Sequence, residues 1–134
     1  CLCGACTFSV TLRDENVDAC HCGQCRTWAA GPFMDVMALS APVFDDQDAV
    51  GVYRSSEWGE RLFCKTCGSA LAWRFADDHD KIAISAFAVP LSDAATFRSE
   101  VFIDAKPRFY DFAQDTKKMT GEELMAAMAP QGNA

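Results

Sequence analysis

The chain has 134 residues, half of them apolar, with ten Phe, three Trp and eight Cys, a formal net charge of −7 and a sequence pI of about 4.6. That is the size of one ordinary domain with apolar material for a single core, so one domain over residues 1–134 is expected. An acidic surface repels phosphate backbones and the longest basic cluster is Lys117-Lys118, which excludes nucleic acid as the expected partner; no run approaches the roughly 20 apolar residues of a membrane helix, so no membrane partner is expected either. No charged-then-apolar leader precedes Cys1, and the expected location is cytoplasmic.

In chain order, short β-rich runs dominate. Thr7 to Leu12 alternates, with Phe8, Val10 and Leu12 on one face, and Phe33 to Leu39 follows a Gly-Pro turn. Val50 to Arg54, Arg61 to Cys64, Ala70 to Phe75, Lys81 to Phe87 and Glu100 to Ile103 read the same way. Asp77-Asp78-His79-Asp80 is a polar hairpin turn, which puts His79 in solvent. Helical features are few. Cys22 to Ala29 suits a helical turn, and Thr120-Gly121-Glu122-Glu123 has a capping-box form followed by Leu124, Met125 and Met128 at helical spacing. That C-terminal helix should end before Pro130, with its methionines packed against the domain. The prediction is a mainly β domain of small packed sheets with a short C-terminal helix.

The cysteines fall in three groups: Cys1, Cys3 and Cys6; Cys20, Cys22 and Cys25; and Cys64 with Cys67, followed by Gly68. Disulfides suit a short secreted chain that lacks a core. In C-x-C the two side chains are also too close in sequence to pair comfortably, so every bridge would have to run between groups. Chelation explains the spacing better. Residues i and i+2 of an extended strand project to one face, which makes Cys1 and Cys3 a two-thiolate pincer. In C-x-x-C-G a tight turn brings Cys64 and Cys67 together, and Gly68 permits the positive φ that turns backbone N–H groups toward the sulfurs. Two pincers make a closed four-thiolate zinc site of structural type on Cys1, Cys3, Cys64 and Cys67.

Cys20, Cys22 and Cys25 overlap a C-x-C with a C-x-x-C, giving three thiolates within six residues. His21 between them points to the opposite face of an extended segment and is a poor fourth ligand. Three protein ligands with an exchangeable position is the pattern of catalytic zinc, where an entering thiol would be held as thiolate. The alternative is a closed site with Cys6, His21 or His79 as fourth ligand. Iron–sulfur clusters also use thiolates, but these C-x-C spacings suit the usual cluster runs poorly. Two Zn²⁺ per chain are therefore expected.

These residues resemble the glutathione-dependent formaldehyde-activating enzymes (GFA) and their centromere-protein-V-like relatives. The resemblance runs through Cys1-Leu2-Cys3-Gly4-Ala5, Cys20-His21-Cys22-Gly23-Gln24-Cys25-Arg26, Gly31-Pro32-Phe33 and Tyr53-Arg54-Ser55-Ser56. It continues through Arg61, Phe63, Cys64, Cys67-Gly68-Ser69 and Val101-Phe102-Ile103-Asp104 with Lys106, covering residues 1 to about 112. It implies a zinc-stapled β-tent, similar to the Mss-four-like proteins. It also implies structural zinc on Cys1, Cys3, Cys64 and Cys67 and catalytic zinc on Cys20, Cys22 and Cys25. The implied activity is that of S-(hydroxymethyl)glutathione synthase, a carbon–sulfur lyase in the reverse sense, with glutathione as the thiol and formaldehyde as the aldehyde. Cys6 departs from the family pattern, where that position is apolar, and is read as a small buried hydrophobe.

The leading expectation is a zinc-dependent carbon–sulfur lyase acting on thiol–aldehyde adducts; the rival is a non-catalytic zinc module for structure or interaction. Arg26, Arg54 and Arg61 could grip the carboxylates of a glutathione-like thiol or pair with acidic side chains. Trp28, Phe33 and Trp73 could line a pocket but are read as core. His21 is a candidate for moving a proton, and the sequence leaves a homodimer open.

Overall fold

The computed structural model describes residues 1–130, which form ten strands, two α-helices and two 3₁₀ turns. They group into two compact units, one made of Cys1–Val17 with Met34–Thr96, the other of Asp18–Phe33 with the segment from Phe97 onward. No helix among the described residues is long and apolar enough to cross a membrane.

In the first unit, β1 (Phe8–Ser9) and β4 (Val43–Phe44) form a two-stranded antiparallel sheet in which Phe8 lies opposite Phe44, their rings 5.2 Å apart. The larger sheet runs, in spatial order, through β3 (Phe33–Met37), β8 (Ile82–Ser85), β7 (Ala70–Phe75), β6 (Gly59–Cys64) and β5 (Val50–Arg54). Every neighbouring pair in that order is antiparallel. Valine, isoleucine, leucine and aromatic residues supply these strands, as pleated half-buried surfaces favour. Leu62, Leu71, Ile82, Ile84 and Val36 are fully buried and make the core. Glu60 and Arg74 lie directly opposite across β6 and β7 and form a half-buried ion pair at 2.8 Å, the cross-strand charge pairing that stabilises a register. The register shifts between Leu62 and Phe63.

In the second unit, β2 (Asn16–Cys20) and β10 (Lys117–Met119) are the outer neighbours of β9 (Thr96–Val101), with β10 parallel to β9. Helix α1 (Gly23–Ala29) starts at Cys22 and stops where Ala30 takes a left-handed conformation. Helix α2 (Gly121–Met128) has a complete capping box between Thr120 and Glu123.

Strands β5 and β7 occupy the residues expected of them, and both helices form where expected. Three expectations need correction. The strand expected over Glu100 to Ile103 instead ends at Val101, because Phe102 turns left-handed and Ile103 begins a 3₁₀ turn. Thr7 to Leu12 is strand only at Phe8–Ser9, with an isolated bridge from Leu12 to Ala38. Met125 and Met128 are exposed, since α2 docks by its first turn, where buried Gly121 lies against the Phe102 ring and donates to Asp104 Oδ1 at 2.9 Å.

Truncating Ile84, which is 0 % exposed in the middle of the larger sheet, should cost about 2–5 kcal/mol through lost burial and the cavity left behind. Val52→Ala on the outer strand, 49 % exposed, should stay within about 0.5 kcal/mol. Denaturant unfolding of Ile84→Ala and Val52→Ala against wild type measures both.

Candidate functional site

All eight cysteines are free thiols, and seven of them gather into two groups. Within each group the sulfurs lie within 4.8 Å of one another: Cys1, Cys3, Cys64 and Cys67 in the first unit, and Cys20, Cys22 and Cys25 in the second.

The four-sulfur group is built from two turns. Gly4, at φ +82°, lets the chain fold back so that its N–H reaches Cys1 O at 3.3 Å, and the Cys6 N–H then donates to Cys1 Sγ at 3.1 Å. Cys64 ends β6, and Gly68 at φ +77° closes the next turn with its N–H on Cys64 O at 2.9 Å. Leu2 N–H donates to Ser69 Oγ at 3.0 Å and ties the two turns together. Backbone N–H groups then act on the sulfurs. The Cys67 N–H beside Cys64 pulls that thiol below its ordinary range despite burial. The Ser69 hydroxyl, 3.1 Å from Cys67 Sγ, with the Ser69 N–H, holds Cys67 down to about 6.

A tetrahedral four-thiolate zinc site with bonds of about 2.3 Å places its sulfurs about 3.8 Å apart. Cys1 to Cys3 and Cys3 to Cys64 are both 3.7 Å, so the donor set fits a tetrahedral ion, whereas a disulfide would need about 2.05 Å. Cys6 stands outside this group. It is buried with its S–H on Ala49 O at 3.1 Å, and burial, then the neighbouring Cys64, pushes it up to about 11.

The three-sulfur group sits where β2 meets α1. Cys20 is the last residue of β2, and extended Cys22 caps α1, its sulfur accepting from Cys25 N–H at 3.3 Å. The Cys25 N–H at the helix start thus faces the Cys22 sulfur. The thiols of Cys22 and Cys25, together with burial, push Cys20 up, so three sulfurs this close resist ionising together. A divalent cation removes that conflict. Among the described residues, no fourth His, Cys, Asp or Glu atom joins the group.

His21 is fully buried, and its ring nitrogens are engaged elsewhere: Nε2 lies 2.8 Å from Glu100 Oε1 and Nδ1 2.6 Å from the Tyr110 hydroxyl. Glu100, 2 % exposed, also accepts from Thr116 Oγ1 and has Lys118 Nζ at 3.6 Å. Sequence reading missed this network, because a glutamate in a strand and a tyrosine 89 residues from His21 carry no spacing that links them. His79 lies in the first unit, 3.5 Å from Glu60, and is half exposed.

Arg26 is in the second unit with the three-sulfur group, its Nε donating to His21 O at 2.9 Å. Arg54 and Arg61 are in the first unit. Arg54 donates to Ser56 O and Glu57 O, and Arg61 is buried in β6. The aromatic residues separate likewise: Trp28 packs on Phe33 at 5.3 Å, and Trp73 on Trp58 and Phe75 at 5.5 and 4.9 Å.

A mostly β protein whose cysteines form one four-sulfur and one three-sulfur group is the class that fold and site define. Residues 1–105 match the family model described as glutathione-dependent formaldehyde-activating enzyme, and the chain belongs to that family. It is 34% identical over 128 residues to a protein of Schizosaccharomyces pombe named as an uncharacterized lyase, covering 96% of this chain and 93% of that one. A crystal structure of a Rhodobacter sphaeroides protein has the same fold, at a TM-score of 0.58 and 19% identity, over 70% of this chain and 88% of that one.

Removing the Ser69 hydroxyl should raise the Cys67 pKa from about 6 toward the ordinary thiol range. In Ser69→Ala stripped of metal, alkylation of Cys67 near pH 7 should slow, followed residue by residue by mass spectrometry. An unchanged rate would mean that the hydroxyl does not hold the thiolate.

Proposed function

We propose that the chain is a zinc-dependent carbon–sulfur lyase acting on thiol–aldehyde adducts, of the S-(hydroxymethyl)glutathione synthase type, with two Zn²⁺ per chain. One observation carries the reading: the two cysteine groups differ in donor number, four sulfurs against three. The four-sulfur group on Cys1, Cys3, Cys64 and Cys67 completes a tetrahedral shell and serves as a staple. The three-sulfur group on Cys20, Cys22 and Cys25 leaves one tetrahedral position for a ligand from outside. Family membership and the lyase name of the yeast relative support the same reaction class.

Cys20, Cys22 and Cys25 would hold the second ion, which when bound supplies a Lewis acid that lowers the pKa of an entering thiol. In the cleavage direction the adduct's C–S bond breaks with its electron pair passing to sulfur, while its hydroxyl gives up a proton as the carbonyl forms; synthesis is the reverse. The protein's own residues contribute placement. The start of α1 holds Cys22 and Cys25 through the Cys25 N–H. Arg26, anchored through Nε to His21 O, is the candidate for a carboxylate of the thiol because it shares a unit with the three sulfurs. Holding thiol and carbonyl together accounts for much of the remaining rate.

Cys25→Ser and Cys64→Ser separate this from a non-catalytic module. Cys25→Ser should stay folded, lose one ion, and lose activity on S-hydroxymethylglutathione, over the uncatalysed rate, by more than about 100-fold, since even outer-sphere changes cost 10–100-fold. Cys64→Ser should lose the other ion and much of its thermal stability. Equal unfolding of both variants would make the second ion a staple and the chain a structural or interaction module.

A further inference from the structure

His21 is anchored at every polar group it has. Its backbone N–H donates to Val101 O at 3.0 Å, and its carbonyl accepts from Arg26 Nε at 2.9 Å. Its ring lies between Glu100 and Tyr110 and packs on the Tyr110 and Phe112 rings at 5.5 and 5.9 Å. All of these partners belong to the second unit. His21 is tied to the three-sulfur group by sequence, because its neighbours on either side are Cys20 and Cys22.

Hydrogen-bond logic fixes the direction of the network at Glu100. Burial works to raise Glu100, but the bonds from Thr116 and His21 outweigh it and keep the group a carboxylate. A carboxylate only accepts, so His21 Nε2 carries the hydrogen in the bond to Glu100, while Nδ1 is paired with the Tyr110 hydroxyl. Both ring nitrogens are engaged by these partners, and the ring does not join the sulfur group as a ligand. What it does is hold the chain. A buried, satisfied polar network is rigid, and breaking one member leaves the others unpaired. With His21 held at ring and backbone, the chain that carries Cys20 and Cys22 on either side of it is held as well.

We propose that His21, braced by Glu100 and Tyr110, is a positioning residue that sets the metal affinity of the Cys20–Cys22–Cys25 group. This rests on the reading that the group holds a metal ion. It departs from the expectation that His21 moves a proton.

The test uses the full chain loaded with Zn²⁺, titrated against a chromophoric chelator, with Co²⁺ absorption reporting the geometry of each site. Glu100→Ala should weaken the second ion about 10- to 100-fold while leaving the first unchanged. Glu100→Gln, whose amide oxygen still accepts from Nε2, should restore most of that affinity. Tyr110→Phe, which removes one hydroxyl, should cause a smaller loss at the same ion and alter its Co²⁺ spectrum alone. Wild-type affinity in Glu100→Ala would overturn the proposal. So would Glu100→Gln being as damaging as Glu100→Ala, which would make charge the decisive property, or both ions weakening together, which would make the network a general brace. A wild-type chain that binds one ion only would remove the proposed function along with this inference, whereas two ions with an indifferent Glu100→Ala removes the positioning role alone.

Discussion

Sulfur lone pairs brought within 4.8 Å of each other in two places are the constraint around which this chain is organised. Thiolates at that distance repel, and Cys20 is pushed up by hydrogen bonding with the Cys22 and Cys25 side chains, by burial, and then by the charge of Cys25. Left alone, such groups would be a liability. A divalent ion bound there would offset that repulsion, and for a site absent from the unfolded chain, the binding energy counts as folding energy. Much of the surrounding architecture can be understood as what is needed to hold these sulfurs together.

The two groups are held by different means. The four-sulfur group joins turns 61 residues apart in sequence, Cys3 and Cys64, so its metal would close a long loop and fix the edge of the first unit. Its turns use left-handed Gly4 and Gly68 and aim N–H groups at sulfur. The three-sulfur group is local, six residues long, and is supported instead from behind, by the buried His21–Glu100–Tyr110 network and by the start of α1. On the proposed reading, a closed shell with long-range ligands would stabilise, while a three-donor shell on local support would leave a position for chemistry.

How much of this was legible in the sequence follows from the range of the interactions. The cysteine groups could be read directly, because metal ligands must be close in space and C-x-C and C-x-x-C achieve that over one strand step or one turn. Strands β5 and β7 were legible from their alternation and bounding turns. β4 and β10, with two and three residues, were too short to show a period, and β2, Asn16–Cys20, carries too few strand formers. The end of β9 was misplaced because apolar Phe102 and Ile103 look like strand, while Phe102 in fact adopts a left-handed conformation. Glu100 was invisible as a site residue: a charged side chain in a strand suggests solvent, and its burial depends on Thr116 and His21 coming to it from distant parts of the chain.

The most direct test of the account is zinc stoichiometry of the purified native protein combined with zinc-edge X-ray absorption during a glutathione titration. Two zinc ions per chain, with a new sulfur entering the shell of only one of them, is the result predicted by a closed staple beside a three-cysteine site. Two ions whose shells are already filled by protein donors, and which do not respond to glutathione or any other thiol, would contradict it.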